Sequence, residues 1–193
     1  FAAGGNKGRK LEYLMGAALK TGADTVITAG ALQIGDGNTG SIAAVSPVSI
    51  ASGATLWLNT PNGASFANSV TNAGLVDFMQ AGSLTVAGTI SGTGSIIQSG
   101  AGFTTLTAAN TYTGPTSVTA GSLQIGNGGS GSIPTNNTIT VASAGKLWLN
   151  EATGSSIANT ITNAGLVDFM QAGSLTVAGT ISGTGTVTQS GSG

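Results

Sequence analysis

The sequence contains no cysteine and no histidine. Without cysteine there is neither a disulfide framework nor a thiolate metal site. Without either residue, the usual zinc ligands, the Ser-His and Cys-His nucleophile pairs and the commonest general base are missing. Most enzyme readings fail at this step, and no cofactor or metal is expected. Charge is scarce as well: 6% of the 193 residues are charged, against about a quarter in an ordinary soluble domain. Residues 22–193 hold Lys146 as their only basic side chain, against Asp24, Asp36, Asp77, Glu151 and Asp168. Nucleic-acid binding draws most of its affinity from neutralised phosphates, so one lysine excludes it. No apolar run approaches the roughly 18 residues of a membrane-spanning helix. No signal peptide is visible, but the chain opens on Phe1, so there is room for a signal upstream of it.

What is abundant is apolar residues, at 40%, and glycine, at 33 residues. A core can be buried, and frequent turns between short ordered segments are expected. The stretch TNAGLVDFMQAGSLTVAGTISGTG occurs twice, letter for letter, at 71–94 and 162–185. Around it, 28–102 align with 119–193 at an offset of 91 residues without a gap, and 49 of the 75 positions are identical. Exchanges at apolar sites are conservative: Val48/Ile139, Ile50/Val141, Phe66/Ile157, Val70/Ile161. Between them they are free, as AAVSP/PTNNT shows. That combination marks a packed face with a tolerant outside.

A shorter beat lies inside the 91. Extended segments begin at Gly30 (GALQIG), Ala54 (ATLWLN), Gly74 (GLVDFMQ), Gly94 (GSIIQSG) and Gly121 (GSLQIG), in steps of 24, 20, 20 and 27 residues. Leu32, Leu56, Val76 and Ile96 sit two after the first four anchors; Ile34, Leu58, Phe78 and Gln98 sit four after. Alternation at period 2 marks half-buried strands. A second strand closes each unit around Ile50, Val70, Ile90 and Val118. Units of this size cannot bury their apolar residues alone and must stack. The spacing therefore predicts an all-β fold, a right-handed parallel β-helix (solenoid) of about eight rungs, with four rungs to each 91-residue repeat. A leucine-rich horseshoe lacks its leucine pattern here, and a β-sandwich does not explain the 91-residue beat.

The N-terminus departs from the pattern. Leu11, Leu14, Met15, Ala18 and Leu19 fall on one face of a helix, which Asn6 can open and Gly22 close. The expected organisation is a short N-terminal amphipathic helix over 1–22, a first solenoid repeat over 23–118 and an incomplete second repeat over 119–193. The helix is read as a cap on the open end of the solenoid, with a docking element for another subunit or a membrane-surface helix as alternatives. The C-terminus shows no cap, so the chain reads as cut from a longer array or as meeting a partner there.

Residues 92–126, GTGSIIQSGAGFTTLTAANTYTGPTSVTAGSLQIG, resemble the autotransporter-associated β-strand repeat, also called the passenger-associated transport repeat. The features that carry it are GTGS, SGAG, TTLTAANTYTG and the run TSV-TAG-LQIG, with partial copies at 21–35 and 183–193. The resemblance implies a passenger on a β-helical stalk, secreted or held on the surface of a Gram-negative bacterium, with an outer-membrane β-barrel translocator as partner. It implies no catalytic residue.

The candidate site residues are few. Asp77 and Asp168 stand four rungs apart on this reading, on the order of 19 Å, too far to act as one glycosidase pair, and are read as outward solubilising groups. Trp57 and Trp148, in the two LWLN segments, fall between inward leucines. They are candidates to face outward and stack on a sugar or another protein. IGDGNTGS and IGNGGSGS have a faint likeness to calcium-binding β-helix turns, but Asp36 in the first is Asn127 in the second. Thr-x-Thr pairs are not expected to stack rung on rung. Two roles remain: a surface-exposed stalk or passenger segment serving extension and adhesion, with neighbouring rungs or subunits and host or surface glycans as partners, or an extracellular filament subunit joined head to tail through the helix and the open C-terminal rung. For the second, Leu11, Leu14, Met15 and Leu19 would make the joint.

Overall fold

The computed structural model describes residues 25–193. The helix expected over 1–22, with Leu11, Leu14, Met15 and Leu19, lies outside the described residues. From Thr25 onward the chain is a parallel β-solenoid of about eight rungs, and every strand pair among the described residues is parallel.

The coil has three sides. One is an eight-stranded sheet of Gly30–Ile34, Ala54–Leu58, Leu75–Phe78, Ser95–Gln98, Thr116–Val118, Thr138–Val141, Thr160–Asn163 and Ile181–Ser182. The next is a seven-stranded sheet of Ala64–Phe66, Ser83–Val86, Phe103–Leu106, Gly121–Ile125, Gly145–Leu149, Leu166–Phe169 and Thr186–Gln189. The third side begins as a sheet of Thr25–Ile27, Val48–Ile50, Val70–Asn72 and Ile90–Ser91. It continues through Thr111 N–H donating to the Ile90 carbonyl (2.9 Å) and a bridge between Ala109 and Ser132, and ends with Ser156–Ile157 paired to Thr176–Val177.

Inward positions alternate with outward ones along each strand. Leu56, Val76, Ile96, Ile139 and Ile161 stack inside the eight-stranded sheet, and Leu84, Leu123, Leu147 and Val167 inside the seven-stranded one, all fully buried. Each such side chain contributes on the order of 1.5–3 kcal/mol, and because the stack is continuous no rung is stable without its neighbours. Gln98, polar where an apolar residue was expected, also points inward. Its carbonyl accepts from Thr104 Oγ1 (2.5 Å), which in turn accepts from Gln80 Nε2 (2.5 Å), so the Gln98 amide is hydrogen-bonded rather than stranded, whereas Gln80 Oε1 is buried without a partner.

The anchors at 30, 54, 74 and 94 are borne out: Gly30 pairs with Ala54, Leu56 with Val76 and Val76 with Ile96. The 27-residue step to Gly121 is not. Ile96 pairs with Thr116, twenty residues on, whereas Gly121–Ile125 belongs to the neighbouring sheet, where Ser122 pairs with Phe103. The step is one rung plus one side of seven residues. Val118 likewise lies in the eight-stranded sheet, not on the third side with Ile50, Val70 and Ile90. Counting from Thr25–Ile27 to its counterpart Thr116–Val118, with the loop 35–47 standing for one side, the chain passes thirteen sides. The 91-residue repeat is therefore four and one third rungs, not four, and averages seven residues to a side. The second copy sits one side further around the coil than the first.

Candidate functional site: the outward tryptophan columns

That rotation decides where the sequence-selected residues stand. Trp57 lies in Ala54–Leu58 of the eight-stranded sheet, between buried Leu56 and Leu58, and is 37% exposed. The strand register stacks Gln33, Trp57 and Asp77 in one outward column. Trp148 lies in Gly145–Leu149 of the seven-stranded sheet, and its column is Gln124, Trp148 and Asp168. The structure thus assembles a Gln–Trp–Asp column twice, on two different sides. It also corrects the placement of the carboxylates: Asp77 and Asp168 are separated by four rungs and one side.

The two columns differ in what covers them. The Phe103 ring, two rungs below, meets Trp148 with centroids 4.8 Å apart at an interplanar angle of 52°, a tilted aromatic contact. Trp148 is half-buried and its Nε1 is buried with no hydrogen-bond partner. Both oxygens of Asp168 are occupied by Ser190, whose N–H reaches Oδ1 at 3.0 Å and whose hydroxyl reaches Oδ2 at 2.8 Å. In the first copy Ser99 Oγ donates to Asp77 Oδ1 at 2.6 Å, and burial pushes the Asp77 carboxyl above its usual range despite that bond. No aromatic neighbour lies over Trp57 among the described residues. Sequence reasoning missed Phe103 because its contact spans 45 positions and two rungs, which no local pattern shows.

The loop residues resolve in structural terms. Asp36 Oδ1 accepts from Asn38 N–H (2.9 Å) and Thr39 N–H (2.6 Å). Asn127 Oδ1 accepts from Gly129 N–H (3.1 Å) and Ser130 N–H (2.8 Å) in the same way. The shared requirement is an acceptor oxygen that folds the turn, not a negative charge, which explains the Asp/Asn exchange. The expectation that Thr-x-Thr pairs do not stack is overturned: Thr138 pairs with Thr160, and Thr140 with Thr162. Beneath the loop 35–47 lies a cavity of about 190 Å³ lined by Ile34, Ile42, Thr60, Pro61, Phe66 and Asn68, with Thr60 Oγ1 buried and unpaired. The second copy has Glu151 in the place of Thr60. Its carboxyl accepts from Ile133 N–H and is pushed up to about 7 by burial.

The segment that joins the two copies runs from the eight-stranded sheet at Ile96 once around the coil to Thr116 and on to Ile125 in the seven-stranded sheet. It carries the interior Gln98–Thr104 bond, the buried Tyr112 hydroxyl 2.8 Å from Thr116 Oγ1, and Phe103. A family model for this kind of segment matches residues 96–125. The matching model is that of the passenger-associated transport repeat. The repeat fills one and two-thirds rungs, so its ends fall on adjacent sheets. It is also where the chain makes its extra seven-residue step. A stretch of 32 residues is 69% identical to the D-cysteine desulfhydrases of Salmonella paratyphi B and Salmonella newport, over 17% of this chain and 10% of each enzyme. The chain spans about a tenth of the length of these curated relatives, too little to carry an activity across. No solved structure matches the chain. The passenger repeat and the solenoid together point to a structural segment rather than an enzyme.

Proposed function

We propose that this chain is a stalk or passenger segment of an autotransporter-like protein, exported to the surface of a Gram-negative bacterium, where it provides extension and presents an adhesive side. The observation that carries the reading is the unbroken parallel stacking through the passenger-associated transport repeat. Because the eight- and seven-stranded sheets pass through residues 96–125 without interruption, the repeat is a length of rod and not a hinge. Eight strands at about 4.8 Å make a sheet roughly 34 Å tall, and each further rung lengthens the rod by the same increment. Rigidity follows from the geometry, since bending would pull every rung away from the next along one edge of the rod.

The test is export. Placed between a secretion signal and an autotransporter translocator in a Gram-negative host, the chain is expected to reach the outer surface, accessible to antibody and to added protease. Retention of a folded chain in the periplasm overturns the reading. Adhesion is tested separately by coating beads with the purified chain and counting those bound to host cells against uncoated beads.

A further inference from the structure

We infer that the Gln33–Trp57–Asp77 column is a binding platform for neutral glycans, open in the first copy and closed in the second. The inference rests on the stalk reading only for its biological setting; the chemistry stands on the column itself.

Three groups converge on it. The Trp57 indole is exposed on the second strand of the eight-stranded parallel sheet, held there by fully buried Leu56 and Leu58 on either side. An indole face set this way offers apolar area to the C–H face of a sugar ring, with little conformational freedom to lose. One rung above, the Asp77 carboxylate is fixed by Ser99, through its hydroxyl on Oδ1 and its backbone N–H. One rung below, Gln33 donates its Nε2 to the Gly35 carbonyl at 2.7 Å, which fixes the amide and leaves Oε1 outward. An aromatic plate flanked at the strand spacing by two fixed acceptor oxygens is complementary to a pyranose, which brings apolar C–H groups on one face and hydroxyl donors around its rim.

Charge selects the class of glycan. Among the described residues the carboxylate beside Trp57 has no cation to offset it: Lys146 is the only lysine or arginine in residues 25–193, and it lies in the other sheet. An acidic saccharide would meet Asp77 with no compensating charge from the described residues. A neutral hexose polymer does not.

The second copy is a built-in comparison. Gln124, Trp148 and Asp168 repeat the column residue for residue, yet Phe103 packs against the indole and Ser190 takes both carboxylate oxygens. The one-side rotation between copies is what puts Phe103 below the second tryptophan. A single site per chain follows.

The experiment titrates the full chain with cellohexaose and chitohexaose, reading the heat of binding by calorimetry, with oligogalacturonate as the acidic comparison. The expected result is a saturable change with at least one of the neutral probes, at one site per chain. Trp57→Ala is expected to weaken it by at least about tenfold, the order of a lost aromatic stack, while Trp148→Ala retains it. Equal binding by Trp57→Ala, a preference for oligogalacturonate, or no response to either neutral probe at about 10 mM, an affinity corresponding to only ~3 kcal/mol, overturns the inference. Trp57→Ala removes an exposed side chain and leaves the core intact, so circular dichroism confirms a folded variant. Surface display of the unaltered chain is read alongside: display without saccharide binding sinks the platform and keeps the stalk, and failure of display sinks the stalk alone.

Discussion

Gly74→Ala adds one methyl group where the stack has no room for it. A Cβ at Gly74 would sit 2.2 Å from the Ala54 carbonyl oxygen and 2.6 Å from that of Ala51. Non-bonded heavy atoms need roughly 3.5 Å, so the rung must lift by ~1 Å at that corner. A gap of that size forfeits a quarter to a half of the dispersion attraction across it, and forced overpacking of this kind costs about 1–3 kcal/mol. The upper end is expected, since both obstacles are backbone and cannot turn aside. Gly165, its counterpart 91 residues on, meets the Ala142 and Gly145 carbonyls at 2.3 Å each, so Gly165→Ala should behave alike. The comparison is Gly129→Ala, where the nearest atom is 3.8 Å away and a cost near zero is expected. The assay is urea unfolding followed by circular dichroism, comparing midpoints so that the result does not hang on a long extrapolation. If Gly74→Ala unfolds within about 0.5 kcal/mol of Gly129→Ala, less than the least cost of overpacking, the close approach of rungs is not what keeps this position glycine.

Three further outcomes are expected. Asp36→Asn should leave the melting temperature unchanged and Asp36→Ala should lower it, because the turn uses Oδ1 as an acceptor; equal melting of all three would remove that role. Glu151 has its folded-state pKa raised to about 7 from 4.5 by burial, so the unfolded chain ionises first. Its contribution is fully present below about pH 4.5 and is lost as pH rises to about 7. Glu151→Gln should flatten the fall in melting temperature across that window, and an unchanged slope would show that the carboxyl does not titrate there. Deleting residues 75–94 removes one rung, since Leu75 pairs with Ser95, and should give a folded rod shorter by about 5 Å in solution scattering. Deleting 75–84 removes half a rung and should abolish the β signal in circular dichroism, and folding of both to the same extent would refute the register.

The anchors at 30, 54, 74 and 94 were legible because within one copy sequence likeness and strand pairing coincide: each anchor repeats two inward positions that must meet the same neighbours. The seam at 94–121 misled because GSLQIG copies GALQIG. Likeness of that kind records descent, whereas pairing records which residue lies one turn below. The three sides of this coil ask much the same of a strand, inward apolar groups seven residues apart on average, so a segment can change sides without changing its sequence. Trp57 and Trp148 could be placed outward from the leucines beside them. Their unlike surroundings could not be read, since Phe103 and Ser190 reach them only through the coil. Gln98 looked like a break in the pattern because a hydrogen-bonded partner such as Thr104 has no signature in a linear count.

A repeat of thirteen sides on a three-sided coil works as a vernier. Were further copies of the same length to follow, each would bring its tryptophan to a new side, and the original side would return only after three copies and thirteen rungs, roughly 62 Å along the axis. A flat surface lying against such a rod would meet one tryptophan in three. A flexible chain winding around it could follow all of them as a spiral. The length of the duplicated unit, and not any residue within it, thus sets the shape of the partner that can use more than one copy at once.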